Sequence, residues 1–359
     1  MDERDLVWER LHRNGLLCPF DSIIDCVHNL SGVQSQFQQF AEVSIFNRCR
    51  KAPRLKDFQS LYDSHDILNL WGQRHTLHMY TPDDWWPICD IYHDKSHSKS
   101  YMEKFSEDLL EMYKVVELES RRDTYIDKAR ILEILDSRMG HLLTENDYLD
   151  YLLIRNCCAK GIIFGIPAKP SIRRFASHSA IRERGWKPDA ANTEKSLDEM
   201  MKRYFRYYGP ASLSDFCHWS GLPAGFARNT LTRVAESLSS TSLCGRQYYI
   251  CGEAELSAAN KLFLLGKFDP LFVSYKHKDW IVTEKQAKEI WRSAARVESV
   301  ILDGAKVIGT WRHTLKGSGM TVNINPMAKI SDAAKKRIKA KAEKLASFWE
   351  KKLVAVAYL

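Results

Sequence analysis

Apolar residues recur at helical spacing over residues 5–13, 20–30 and 40–49, and a stripe that returns every three to four positions predicts three short amphipathic helices. The segment SGVQSQ, between the second and third, reads as a turn. After residue 64 the period changes: in ILNLWGQRHTLHMYT, Leu70, Leu77 and Met79 stand among polar residues in a way that fits strands. Three helices followed by a strand pair predict a winged helix-turn-helix unit over residues 1–100.

A similar order recurs over 125–167. IDKARILEILDSRM predicts one helix, LTENDYLDYLLIRNCCAKG a second and third, and IIFGIP a short strand. Residues 173–192 read as a basic, mostly polar connector, so the second winged unit with its linker fills 101–192. The third unit, 193–260, is the clearest copy: MMKRYFRYYGP is a helix ended by Gly-Pro, ASLSDFCHWSGL a short helix, PAGFARNTLTRVAESL the candidate recognition helix and SLCGRQYYICG a glycine-turned hairpin. From residue 261 onward the texture becomes β-rich, with Asp303-Gly304 as a hairpin turn. This segment, 261–359, closes with a terminal helix in which Ile338, Ala342, Leu345 and Trp349 form an apolar stripe and lysines take the other face. The predicted class is α+β, mainly helical: three tandem winged units with a small mixed C-terminal domain.

Composition changes this picture little. The chain has 359 residues, 45% hydrophobic and 27% charged, with a formal charge of +8, enough to bury several small cores and to favour a polyanionic partner. Nine cysteines without C-x-x-C spacing read as reduced thiols in a cytoplasmic protein. The charged start MDERDLVWERLHRNG and the absence of any run near roughly 18 apolar residues predict neither a signal peptide nor a membrane span.

The motifs H-E-x-x-H, G-x-S-x-G, G-x-x-x-x-G-K-[ST] and G-x-G-x-x-G are absent, which argues against metal, nucleotide and serine-hydrolase chemistry. His75 with His78, and His93 with His97, have metal-compatible spacing but no third ligand at a familiar distance, so no metal is expected. No cofactor is expected either. What remains is GVQSQFQQF, where Gln34 and Gln36 lie two apart. On a helix the two amides would diverge by about 200°, whereas on a turn both face one target. A pair of amides can hold a water by donating and accepting hydrogen bonds, but it cannot take up a proton as a carboxylate or imidazole does. Such a site suits a substrate that already carries its leaving group. The plain alternative is a glutamine-rich surface turn.

The chain resembles the AlkZ-like DNA glycosylases over residues 5–350. The residues that carry the likeness are GVQSQ at 32–36, FNRC at 46–49, LWGQRHTLHMYTPDDW at 70–85, KRYFRYYGPASLSDFCHWSGL at 202–222, GKFDPLFVSYKHKDW at 266–280 and LDGAKVIGTWR at 302–312. The resemblance implies three winged units in a C-shape around double-stranded DNA, and a catalytic pair matching Gln34 and Gln36. It implies hydrolysis of the N-glycosidic bond of N7- or N3-alkylated purines, extending to bulky adducts or interstrand crosslinks. With no lysine in the motif to form a Schiff base, hydrolysis alone is expected, without strand cutting. Family motif and charge together make Arg48, Arg74, His78, Lys276, Lys278 and Arg312 candidate DNA contacts. Two departures stand out: Ser35 between the glutamines, where the family has an aliphatic or alanine residue, and His75 after Arg74, where it has glycine. The competing readings are a winged-helix DNA-binding protein without catalysis, as a regulator or inactive repair paralogue, and a protein-interaction scaffold. A monomer is expected, since no coiled-coil heptads occur.

Overall fold

The computed structural model describes residues 3–92, 103–167, 174–182, 192–253, 259–293 and 296–359. The chain forms two compact units, one of Met1–Gln59 with Asp198–Leu359 and one of Ser60–Leu197. Divided this way, the stretch 1–100 contributes its first helices to one unit and its strand pair to the other.

In the discontinuous unit the predicted N-terminal helices are Glu3–Arg13, Ile23–Asn29 and Gln38–Phe46. A further helix, Leu55–Asp63, follows them; periodicity had not marked it. The helices Thr193–Tyr207, Leu213–Ser220 and Ala224–Val234 and the hairpin Ser239–Leu243 with Arg246–Ile250 reproduce the order expected for the third segment. Ser212 and Asp215 form a reciprocal capping box at the start of Leu213–Ser220, satisfying donors that a helix start leaves open.

The C-terminal segment is a five-stranded sheet in the order Lys352–Tyr358, Gly319–Pro326, Lys306–Lys316, Ser299–Asp303, Leu262–Leu265. Its pairs are antiparallel except the first, which is parallel. Asp303 pairs with Lys306 across the predicted turn, and Gly304 takes φ +58. The terminal helix Asp332–Phe348 buries Ile338, Ala342 and Leu345, and Trp349 caps it. The strand after it, Lys352–Tyr358, was not foreseen.

Two buried guanidiniums tie this unit together. Arg10 donates to the carbonyl of Pro210 at 2.7 and 2.9 Å and lies 4.0 Å from the centroid of the Tyr275 ring. Arg48 has no exposed surface; it donates to both carboxylate oxygens of Asp269 at 2.7 and 2.8 Å, and to Asn14 and the Ser44 carbonyl. A bidentate pair with further hydrogen bonds is the geometry in which a buried charge is tolerated.

Within the unit Ser60–Leu197 the strands run Leu77–Tyr80, Leu68–Trp71, Ile163–Ile166, Arg174–Ser177, Ile126–Asp127, all antiparallel. Helices Pro82–Tyr92, Ser106–Ser120, Lys128–Met139 and Leu149–Ala159 accompany them. The connector expected over 173–192 is corrected in part: Arg174–Ser177 is a strand and Ser179–Arg182 a helical turn, with Phe175 and Ala176 buried. A single basic residue at its start hid an apolar core strand. His78 is buried in this sheet, its Nδ1–H donating to the Thr76 carbonyl at 2.8 Å. Burial first, and the charge of Arg74 second, push its pKa from 6.5 down to about 3.

Two outcomes follow from the buried charges. Asp269→Ala, which strands the Arg48 guanidinium, is expected to cost about 3–5 kcal/mol in urea unfolding; a loss under ~1 kcal/mol would mean that the pair is solvated. His78 is neutral when folded but takes up a proton below 6.5 when unfolded, so its contribution is complete above pH 6.5 and is lost as pH falls towards 3. Stability should therefore fall, on its account, by about 1.4 kcal/mol per pH unit below 6.5. His78→Gln should remove that slope between pH 6 and 4; an unchanged slope would show that the ring titrates normally.

Candidate functional site

The predicted amide turn is built from the C-terminus of helix Ile23–Asn29. Ser31 and Gly32 both take left-handed φ, +53 and +93, and the Gly32 N–H bonds the Val27 carbonyl at 2.9 Å. This ends the helix and turns the chain into the short extended pair Val33–Gln34. Helix Gln38–Phe46 then starts with Phe37 at its cap. Between these two constraints the amides meet: Gln34 Nε2 donates to Gln36 Oε1 at 2.9 Å. Gln34 is buried and Gln36 exposed, so the pair spans from core to surface. Ser35 is buried.

The helix behind the turn is held against the C-terminal sheet. Asn47 donates to the Leu264 carbonyl at 3.0 Å, and Phe40 packs edge-on against Trp311 and His313. Gly266 admits this approach, since a Cβ there would lie 3.0 Å from the Phe40 carbonyl oxygen. Phe37, 49% exposed, stacks on Phe268 with ring planes 10° apart and centroids at 5.8 Å. Phe268 itself has φ +56, a backbone state costing about 1–2 kcal/mol for an L-residue, held between Lys267 and the buried Asp269. An observed outlier of this kind marks a place where function is worth seeking.

Residues that sequence reasoning missed surround this turn. Lys267 lies 5.9 Å from the centroid of the Phe37 ring, and Glu42 is buried one turn into the helix, accepting from Gln38 Nε2 at 2.9 Å. Phe37, Lys267 and Phe268 were legible only as parts of longer motifs. The stacking that joins them spans more than two hundred residues.

The expected DNA contacts divide. Arg48 is not at the surface, and its charge is spent on Asp269 instead of a phosphate. His78 is likewise buried and neutral, so the contact expected of it is corrected to a core hydrogen bond. Lys278 turns back on its own chain, donating to the Phe272 carbonyl at 3.2 Å and to that of Tyr275, and lies 4.9 Å from the Trp291 ring centroid. Lys276 is exposed, with its backbone N–H bonded to Asp215 at 2.8 Å. Arg312 is exposed and paired with Glu298 at 2.8 Å. Arg74 and His75, in the turn between Leu68–Trp71 and Leu77–Tyr80, take φ +52 and +55; the backbone keeps the left-handed state although His75 replaces the expected glycine. Arg155 donates to His75 Nδ1 at 2.6 Å. Trp219 and Trp311 are buried as core anchors, and Trp71 is half-buried against Tyr151.

The pair His93 and His97 lies outside the described residues. Among the described residues no three His, Cys, Asp or Glu side chains gather as a metal site, and no helix is long and apolar enough to cross a membrane.

Comparison with known proteins agrees with this architecture. The chain is 22% identical over 318 residues to an interstrand DNA cross-link repair glycosylase of Streptomyces sahachiroi, covering 81% of this chain and 82% of the relative. Its fold matches that of the Streptomyces sahachiroi DNA glycosylase AlkZ with a TM-score of 0.83 over the whole of both chains, at 17% identity. The family model described as DNA glycosylase AlkZ-like matches residues 164–348, which leaves the amide turn outside the matched span. Since that span covers more than half of its 359 residues, the chain belongs to the AlkZ-like DNA glycosylase family.

Proposed function

We propose that this protein hydrolyses the N-glycosidic bond of N7- or N3-alkylated purines in double-stranded DNA, using a water held by Gln34 and Gln36. The reach extends to bulky adducts or interstrand crosslinks, a class that the name of its Streptomyces relative supports. The observation that carries the reading is the 2.9 Å bond between the two amides on a turn braced from both sides.

The chemistry asks for little more. Alkylation at N7 or N3 leaves the base cationic, so the bond from C1′ to the base nitrogen breaks with its electron pair leaving on a neutral purine. No general acid is needed. The sugar passes through an oxocarbenium-like state that must meet a positioned water, which loses its proton to solvent as the C1′–O bond forms. Amide carbonyl oxygens can stabilise the developing positive charge at C1′, and an amide N–H can orient the water. An unmodified purine offers no such leaving group, so neutral amides select for labile lesions. The motif has no lysine for a Schiff base, so the product is an intact strand with an abasic site. The three helices and hairpin over 193–250 are read as a winged unit on the DNA, with Arg74, Lys276 and Arg312 as surface contacts to it.

Release of free base from a duplex containing N7-alkylguanine tests this directly, with wild type beside Gln34→Ala and Gln36→Ala at matched DNA affinity. Each substitution is expected to slow release about 10²-fold or more, the scale of a lost transition-state contact, while binding persists. Wild type that binds the duplex but releases no base from simple or bulky N7 adducts would sink the reading.

A further inference from the structure

Three cations converge on one buried carboxylate, and one of the three, Lys267, also faces Phe37. Glu298, 4% exposed, immediately precedes strand Ser299–Asp303 and pairs with Arg312 at 2.8 Å, Lys267 at 3.7 Å and Arg292 at 3.8 Å. The partners are far more open: 60% for Arg312, 43% for Arg292 and 26% for Lys267. A carboxylate so enclosed by cations that reach solvent is an anchor, and the outer faces of the cations remain available to a second anion. Three positive charges against one negative leave two over. Lys267 also lies 5.9 Å from the ring centroid of Phe37, the residue that follows Gln36.

We infer that Lys267, Arg292 and Arg312, held in place by Glu298, form a clamp for a phosphate of the DNA backbone close to the nucleotide presented to Gln34 and Gln36. The clamp rests on the reading that the amide turn meets DNA, and it adds two residues not among the expected DNA contacts, Lys267 and Arg292, together with a positioning role for Glu298. Guanidiniums offer a planar fork of donors that suits phosphate oxygens. A lone surface arginine loses side-chain entropy when it is ordered on a phosphate. Here Glu298 has already ordered it. Burial raises the Glu298 pKa, but the Arg312 hydrogen bond and the charges of Lys267, Arg312 and Arg292 outweigh it and hold the group below the usual carboxylate range, so the anchor stays charged. His313, half-buried, has its pKa pushed down by burial and by the charge of Lys267.

The test is a salt titration of affinity for an undamaged labelled duplex, read by fluorescence anisotropy, with thermal melting to show that each variant is folded. Lys267→Ala, Arg292→Ala and Arg312→Ala should each weaken binding, equally for damaged and undamaged duplex, and each should lower the slope of log K against log salt by a share of the roughly one unit that a single phosphate contact carries. Where an alanine variant unfolds, the corresponding Gln variant serves. Glu298→Gln should separate the two roles: it removes a negative charge, so binding at low salt tightens, while base release slows because the cations are no longer held. Slopes unchanged in all three cation variants, or a protein that does not bind duplex, would overturn the clamp. Binding by Glu298→Gln that weakens in step with its melting temperature would overturn the positioning role. Slopes that fall in a protein releasing no base would leave the clamp standing and remove the glycosylase reading instead.

Discussion

The buried pair of Arg48 and Asp269 is the constraint on which the site depends. It joins the end of helix Gln38–Phe46 to the residue that caps the turn Pro270–Val273, where the Leu271 N–H bonds the same Asp269 carboxylate at 3.0 Å. Fixing Asp269 fixes Phe268 in its left-handed conformation, and Phe268 in turn is the floor on which Phe37 stacks. Phe37 is the residue after Gln36. Thus a wholly internal ion pair, of a kind that adds little net stability when compared with apolar residues of the same volume, sets the position of an exposed polar side chain some distance along the chain. Specific placement is the better explanation for keeping such a pair.

The other end of the turn is braced by a second network. Tyr208 Oη donates to the Leu30 carbonyl at 2.9 Å, Tyr275 Oη to the Tyr208 carbonyl at 2.9 Å, and Tyr204 Oη to the Ser274 carbonyl at 2.8 Å, with Arg10 over the Tyr275 ring. Arg203 reaches the His28 carbonyl at 3.2 Å. Arg203, Tyr204, Tyr208 and Tyr275 belong to KRYFRYYGP and GKFDPLFVSY, and their spacing makes sense as support for the backbone that leads into the turn. Two neutral amides have weak chemistry, and a group of weak chemistry contributes to a transition state only if it does not have to reorganise. The rigidity of the support is therefore part of the proposed catalysis.

The sequence made legible whatever is local. Periodicity placed the N-terminal helices and the terminal helix, the Asp303-Gly304 step placed a hairpin, and the two-residue spacing of Gln34 and Gln36 on a turn predicts amides on one side of the chain, where the two prove to be hydrogen-bonded to each other. It did not disclose what is settled by distant partners. Lys352–Tyr358 is a strand because Gly319–Pro326 offers it a parallel edge, and Arg174–Ser177 is one because Ile163–Ile166 lies beside it. Arg48 and Arg312 are both arginines in motif positions, yet one meets a carboxylate 221 residues away and disappears from the surface while the other stays open. No pattern within a short window distinguishes them, because burial of a charge is decided by its counter-charge. Family likeness carried Arg48 as a motif residue, and its role proves to be internal.

On the proposed reading, the electrostatics also explain why a carboxylate sits among cations beside a DNA site. The reacting sugar becomes positive, and a bare cation at about 8 Å would oppose that by about 2 kcal/mol at an effective dielectric near 20. Phosphate binding, however, requires cations nearby. Glu298 reconciles the two demands: it offsets one of three charges and holds the cations where a phosphate can offset another. Once the phosphate, with its single negative charge, is seated, the net charge of the cluster falls from two to one, and the opposition that C1′ meets falls with it. A cleft that was merely basic would bind DNA more strongly and break the bond more slowly.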